Sequence, residues 1–317
     1  MAKYCFGVDL GGTTVKMGLF TITGTLLDKW EIPTRTENHG EHILGDIAAS
    51  IRGKMDQKQL TETDVTGVGI GVPGPVIKES IVQQCVNLGW GTVNVAEELS
   101  SLTKLPVRAA NDANVAALGE QWQGGGKGYD SLIMITLGTG VGGGIISDGK
   151  IISGTNGAAG EIGHMVLVDP ADITGVCGCG HVGCLEQAAS ATGLVNMTRK
   201  MLDTSDEKSS LRGADPLTAK DILDAAKAGD VLAERAADKM MKYLGRAAAY
   251  LACAVNPDIF VIGGGVSRAG SYLTEGISRY YRETVFHAST ETPFVLATLG
   301  NDAGIIGAAK LVCDIVD

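Results

Sequence analysis

Three cysteines fall within eight positions, Cys177, Cys179 and Cys184 in "GVCGCGHVGCLEQ", and an acid, Glu186, stands two residues beyond the last of them. The spacing C-x-C-x4-C offers three thiolates, and a closed tetrahedral zinc site takes four ligands from Cys and His. His164, thirteen positions before Cys177 in "GEIGH", is the natural fourth ligand, and His181 inside the loop is its rival. Four protein ligands leave no open position for an activated water, so such an ion would be structural. The competing readings are a disulfide, which a reducing compartment disfavours, and a redox-active thiol group.

A second chemistry belongs to glycine and threonine. "DLGGTT" sets Asp9 beside Gly11, Gly12, Thr13 and Thr14, with Lys16 next, and "LGTGVGG" sets Gly138, Thr139 and Gly140 at the end of another apolar run. Missing side chains at such turns let phosphate oxygens reach backbone N–H groups, and threonine hydroxyls add donors. Lys16 can neutralise phosphate charge, and Asp9 lies where a phosphate-bound Mg2+ and its waters would sit. Gly263, Gly264 and Gly265 turn into a helix that could face the nucleotide. Gly138, Gly140 and Gly143 also satisfy G-x-G-x-x-G, but a dinucleotide site needs a helix after the turn, whereas this chain continues into the strand-like "GGIIS".

A third group is carboxylate. In "RAANDANVAA" an apolar strand ends at Asn111 and Asp112 as a helix begins, which projects both side chains from one point. Asp112 either caps that helix or acts as a base that removes a proton from an attacking hydroxyl. Glu161 in "GEIGH" reads as a solvated loop acid, and His164, apart from the cysteines, as a satisfied core residue.

These groups need a scaffold, and 317 residues suffice for two domains with a sizeable core. The N-terminus has no apolar core of signal-peptide length, and the longest charge-free run, 131–147, is crowded with Gly and Thr and too short for a membrane span, so a cytoplasmic protein without membrane contact is expected. A net charge of −10 argues against nucleic acid as a partner. Cys5, Cys85, Cys253 and Cys313 lie in apolar runs and read as buried, inert thiols.

Two segments, from Tyr4 and from Ser131, share one plan of strand, Gly/Thr turn, strand, Gly turn and strand, with Leu10-Gly11 matching Leu137-Gly138. Alternating strands and helices follow each, predicting two α/β domains with mixed sheets. Helices are predicted over His42 to Met55, from Asp112 to Trp122, after a capping box at Thr218 and Asp221, and along an apolar stripe from Leu232 to Ala254 that stops at Asn256-Pro257. The expected domains are 1–123 with a C-terminal helix 303–317, and 124–302 carrying the cysteine loop 164–186.

"DLGGTT", "LGTGVGGG", "AANDANVAALGE", "GEIGH", "CGCGHVGCLE", "IGGGVS" and "DAGIIGAA" occur in this order across nearly the whole chain, and together they resemble the ROK family of sugar kinases and related repressors. The resemblance implies the duplicated actin-like (ribonuclease H-like) ATPase fold, two domains with an interdomain cleft. It implies ATP and Mg2+ at the glycine turns, Asp112 as catalytic base, and Asn111, Glu161, His164 and Glu186 on the sugar. It also implies Zn2+ held by His164, Cys177, Cys179 and Cys184, and a homodimer or homotetramer. "VNLGW" at 86–90 looks like the loop of the glucose-phosphorylating members, which makes glucose the expected acceptor, with N-acetylmannosamine and fructose as close rivals. A sugar-responsive regulator of the same family would carry a helix-turn-helix ahead of the hairpin that begins here at Tyr4, and a polymerising actin-like protein would leave the cysteine loop unexplained.

Overall fold

The computed structural model describes residues 2–313. The last four positions of the expected helix 303–317 lie outside the described residues. Along the chain come β1 (Tyr4–Leu10), β2 (Thr14–Thr21), β3 (Leu26–Pro33), the single turn α1 (Glu37–Gly40), α2 (Ile43–Lys58) and β4 (Val65–Val72). A small sheet of β5 (Val76–Ile77), β6 (Ile81–Val82) and β7 (Val93–Asn94) precedes α3 (Val95–Thr103), β8 (Val107–Asn111) and α4 (Asp112–Gln123). Next are β9 (Leu132–Leu137), β10 (Val141–Ser147), β11 (Lys150–Ile151), the turn α5 (Glu186–Ala189), α6 (Ala191–Asp203), α7 (Ala219–Lys227) and α8 (Val231–Val255). β12 (Ile259–Gly263), α9 (Ser271–Arg282), β13 (Phe294–Leu296) and α10 (Ala303–Cys313) complete the order. No helix among the described residues is long and apolar enough to cross a membrane.

The repeated sequence plan returns as a repeated topology. One sheet runs β3-β2-β1-β4-β8 and the other β11-β10-β9-β12-β13. In the first, β1, β2 and β3 pair antiparallel, then β4 and β8 add in parallel. In the second, β12 adds parallel to β9 and β13 parallel to β12. This is the duplicated α/β arrangement expected of an actin-like ATPase.

The chain divides into two compact units: Met1–Gly128 with Gly144–Gly160 and Leu299–Asp317, and Tyr129–Gly143 with Glu161–Thr298. The end of β10 and β11 thus count with the first unit, which breaks the continuous 124–302 block read from the sequence. The reason is close packing: a Cβ at Gly144 would come within 2.5 Å of Ala117 Cβ and 2.8 Å of the Ala113 carbonyl oxygen.

In the first unit every residue of β4 is buried, as befits a central parallel strand. α10 lies directly on this sheet because glycines make room for it. A Cβ at Gly69 would stand 1.7 Å from the Ala308 carbonyl oxygen, and one at Gly307 would stand 1.6 Å from that of Val115 on α4. In the second unit the capping box forms as expected, Asp221 N–H donating to Thr218 Oγ1 at 3.2 Å and Thr218 N–H to Asp221 Oδ2 at 3.0 Å. α8 buries Leu232, Ala236, Met240 and Leu244 and ends where Asn256 turns left-handed. Its last turn departs from the expected stripe, since Ala254 is exposed. Cys5, Cys85 and Cys313 are buried as expected, but Cys253 is exposed, because it lies on the solvent face of α8 beside the buried Ala252.

Candidate active site

In the first unit Asp9 stands opposite Lys16 in the β1–β2 register. The turn between them closes on Gly11 N–H to Thr14 O at 3.1 Å and is tied to β3 by Thr34 Oγ1–H to Gly11 O at 2.7 Å. Gly12 and Thr13 are exposed, with the Thr13 carbonyl accepting from Thr34 N–H at 2.9 Å. α10 begins against Asp9: a Cβ at Gly304 would lie 2.6 Å from its carboxylate. Burial pushes the Asp9 carboxyl above the usual carboxylate range, with Lys16 acting in the opposite sense.

The two polar residues at the β8–α4 junction divide their tasks. Asn111 is the cap, its Oδ1 accepting from Ala113 N–H at 2.9 Å and Asn114 N–H at 3.3 Å while its amide donates to Gly74 O at 3.2 Å. Asp112 is the first helical residue and is exposed. The sequence left open whether Asp112 capped this helix. Asn111 fills the capping position, and the Asp112 carboxylate contacts Ala113 N–H at 2.8 Å.

The second unit gathers the remaining predicted residues. The β9–β10 turn closes on Gly138 N–H to Gly140 O at 3.0 Å, and Ala191 at the start of α6 donates to Gly138 O at 2.8 Å. Glu186 lies against this turn, since a Cβ at Gly140 would sit 2.8 Å from its Oε2. Its Oε1 accepts from Cys177 Sγ at 2.9 Å and lies 3.8 Å from His164 Nδ1. His164 Nε2 points the other way, 3.9 Å from Glu161 Oε2. Glu161, His164 and Glu186 therefore form one row, with the imidazole between two carboxylates.

His164, Cys177, Cys179 and Cys184 bring their donor atoms within 4.8 Å of one another. Cys179 Sγ is 3.4 Å from Cys177 Sγ and 3.5 Å from Cys184 Sγ, and Cys177 Sγ is 3.6 Å from His164 Nδ1. Thiolates bound about 2.3 Å from a tetrahedral ion stand about 3.8 Å apart, close to this spacing. The His181 imidazole lies 3.4 Å from Cys179 Sγ and its carbonyl accepts from Cys177 N–H at 2.9 Å, but the four-residue cluster includes His164 instead. Hydrogen bonds from His181, the backbone first, pull the Cys179 thiol down to about 6, while burial pushes Cys177 up to about 12.

Beyond the Gly138 turn, Gly264 crosses the end of β9 with φ +83°, and a Cβ there would strike the Leu137 backbone. Only glycine accepts both the angle and the approach. Beside it opens a cavity of about 340 Å3, walled by Leu137, Leu223 and Val266, with Lys220, Asp224 and Arg268 among its polar residues. Sequence reasoning named only Gly138 and Gly265 of its lining as site residues, because the walls come from four separate stretches of the chain. In the loop at 86–90, Leu88 and Trp90 are buried while Val86, Asn87 and Gly89 are exposed, and Trp90 Nε1 donates to Gly40 O at 3.3 Å.

Comparison with known proteins places these features in company. The profile of the ROK family matches residues 5–315. The chain is 42% identical to a glucokinase of Halalkalibacterium halodurans, over 98% of this chain and 95% of that one. It is 37% identical to a glucokinase of Thermotoga maritima, over 96% of each. Among solved structures, a ROK family glucokinase from Streptomyces griseus in complex with glucose and AMPPNP superposes with a TM-score of 0.73 at 34% identity, covering 98% of this chain and 99% of that one.

Proposed function

The chain belongs to the ROK family, and on that premise we propose that it is a glucokinase, moving the γ-phosphoryl group of ATP to the 6-hydroxyl of glucose. The observation that carries this reading is the position of Glu186, with one carboxylate oxygen against a phosphate-type hairpin and the other against the His164–cysteine cluster. A polyol acceptor and a phosphate donor need such walls side by side. The likeness to glucokinases over nearly the whole chain supports the same substrate.

In this reading Asp112 removes the proton of the 6-hydroxyl as the phosphoryl group arrives in line. As the exposed first residue of α4, with Asn111 as the cap, it suits that task. Asn111 offers the amide hydrogen that Gly74 does not take. Glu161 and Glu186 accept from sugar hydroxyls and His164 Nε2 donates to one, so a neutral polyol finds a partner for each hydroxyl once water is excluded. The base of the nucleotide enters the 340 Å3 cavity beside Gly264 and Gly265. Phosphates meet the backbone of Gly138, Thr139 and Gly140 and of Gly11, Gly12, Thr13 and Thr14, with Lys16 adding positive charge. Mg2+, held through Asp9, supplies charge neutralisation on the phosphates when bound.

Three thiols and an imidazole at this spacing fit Zn2+, which we place on His164, Cys177, Cys179 and Cys184 as a structural ion. Zn2+ held by Nδ1, the ring nitrogen that faces Cys177, would leave the proton of His164 on Nε2, the nitrogen offered to the sugar. The reaction draws on cytoplasmic ATP, and the cytoplasm is its place of action. A coupled assay with ATP and a panel of hexoses tests the reading. Glucose should give the highest kcat/KM. A higher value for N-acetylmannosamine or fructose would overturn the choice of glucose, and no transfer to any hexose would overturn the kinase.

A further inference from the structure

The chain passes between its two units four times, after Gly128, Gly143, Gly160 and Thr298. Three of these crossings are anchored on α4, the helix that begins with Asp112. Near its start, Ala113 and Ala117 pack against Gly144, the first residue after the second crossing, so closely that a Cβ there would not fit. At its far end Glu120, a fully buried carboxylate, holds two more. Its Oε2 accepts from Gly125 N–H at 2.7 Å, three residues before the chain leaves the first unit. Its Oε1 accepts from Leu299 N–H at 2.8 Å, the residue on which the chain returns. The Glu120 carbonyl also takes Gly124 N–H and Gly126 N–H, both at 3.0 Å. Gly124 has to be glycine for this wrap, because a Cβ there would lie 2.0 Å from Glu120 Oε2.

The anchor for Leu299 reaches further. Four residues on, α10 begins, and its first turn abuts Asp9 while its middle is in backbone contact with α4 at Val115 and Gly119. One buried carboxylate thus ties two crossing segments to the same rigid pair of helices that carries Asp112 and borders Asp9.

We propose that Glu120 is a positioning residue for phosphoryl transfer: by holding Gly125 and Leu299, the lead into α10, on α4, it keeps Asp112 at the head of α4 in register with Asp9, which α10 borders. This role rests on the glucokinase reading above. A displacement of about 1 Å from a change remote from the chemistry can lower a rate by about two orders of magnitude, and transfer in line is the step most sensitive to it.

Two variants test the clasp. Glu120→Gln replaces one acceptor oxygen with a donor that faces a backbone N–H. Leu299→Pro removes the Leu299 donor, together with the leucine side chain, while leaving the Glu120 carboxylate in place, at a backbone φ of −83° that proline tolerates. For each, the folded fraction is measured by thermal melt, kcat and both KM values per folded molecule, and amide exchange at Gly125 and Leu299. The expected result is a fall in kcat of about 10- to 100-fold for Glu120→Gln and a smaller fall for Leu299→Pro. KM for glucose and for ATP should move less than about threefold, with faster exchange at the amides released and unchanged exchange in β4. A kcat per folded molecule within twofold of the wild type, with exchange accelerated, would show that the carboxylate only stabilises the fold and overturn the proposal. A Glu120→Gln chain that fails to fold leaves Leu299→Pro to decide by the same criterion. A wild type that phosphorylates no hexose instead fails the reading beneath the clasp, and this role with it.

Discussion

Cys177 Sγ donates to Glu186 Oε1 at 2.9 Å, while the other oxygen of the same carboxylate lies against Gly140 of the β9–β10 turn. A cysteine that belongs to a metal-type cluster therefore touches an acid that faces a phosphate-type hairpin. In the proposed reading the cluster would act on the chemistry through geometry, a shift of Cys177 being passed to Glu186 and His164 beside it.

Loss of one thiolate should expose that dependence. Cys179 lies within 3.5 Å of both other cysteines, so Cys179→Ser removes the central ligand of the set. The purified wild type should contain about one zinc per subunit, and the variant much less. Prolonged chelation or the substitution should lower Tm and raise KM for glucose together, while nucleotide affinity in protein that stays folded should change little. Metal analysis with parallel melts and glucose titrations checks this, and a wild type free of zinc after chelator-free purification would refute it.

Asp112 should be the residue whose loss costs turnover without costing the fold. Asn111 already satisfies the first N–H groups of α4. Asp112→Ala should then lower kcat by about two to four orders of magnitude, the usual worth of a general base, with Tm near that of the wild type. Near-normal turnover in steady-state assays would sink the assignment.

How far the sequence foretold this site depends on the kind of relationship involved. The register of Leu10-Gly11 with Leu137-Gly138 predicted a repeated sheet, because a strand and its turn are local. The choice between Asn111 and Asp112 as cap was not legible, since both residue types cap helices and they are neighbours. Cys253 misled because "YLACAV" is apolar as a run, although the helix turns that position outward. Glu120 and the contact of Glu186 with Gly140 were invisible for another reason. They pair residues far apart in the chain, and no spacing rule reports that.

Two neighbouring glycines should separate the acceptor from the donor. A Cβ at Gly140 would press on Glu186 Oε2 at 2.8 Å, whereas one at Gly138 meets nothing within 4 Å. Gly140→Ala should displace Glu186 and raise KM for glucose about tenfold, the cost of roughly one hydrogen bond to a charged group. Gly138→Ala leaves the protein unstrained but occupies space in front of the turn, so its effect should fall on KM for ATP. Paired glucose and ATP titrations of both variants decide it, and a shared phenotype would contradict this division of the turn.

Acid should weaken the second unit through Asp230. This carboxylate caps α8 by accepting from Ala233 N–H at 3.1 Å and binds the 209–210 turn through Ser210 N–H at 2.6 Å and both serine hydroxyls. Burial acts against its charge, but these hydrogen bonds outweigh burial and hold it at about 2. A carboxyl depressed in the folded state contributes stability in full above its unfolded value near 4, and loses it as pH falls toward 2. Asp230→Asn should therefore cost about 2 kcal/mol at pH 7, the worth of a carboxyl held about two units below its unfolded value rather than of the cap, which asparagine can still form. Because the variant has no charge to lose, the gap in Tm between it and the wild type should narrow from pH 7 to pH 3. Melts at both pH values check the sign, and a gap that widens in acid would mean that the ionised carboxylate is not what steadies this end of α8.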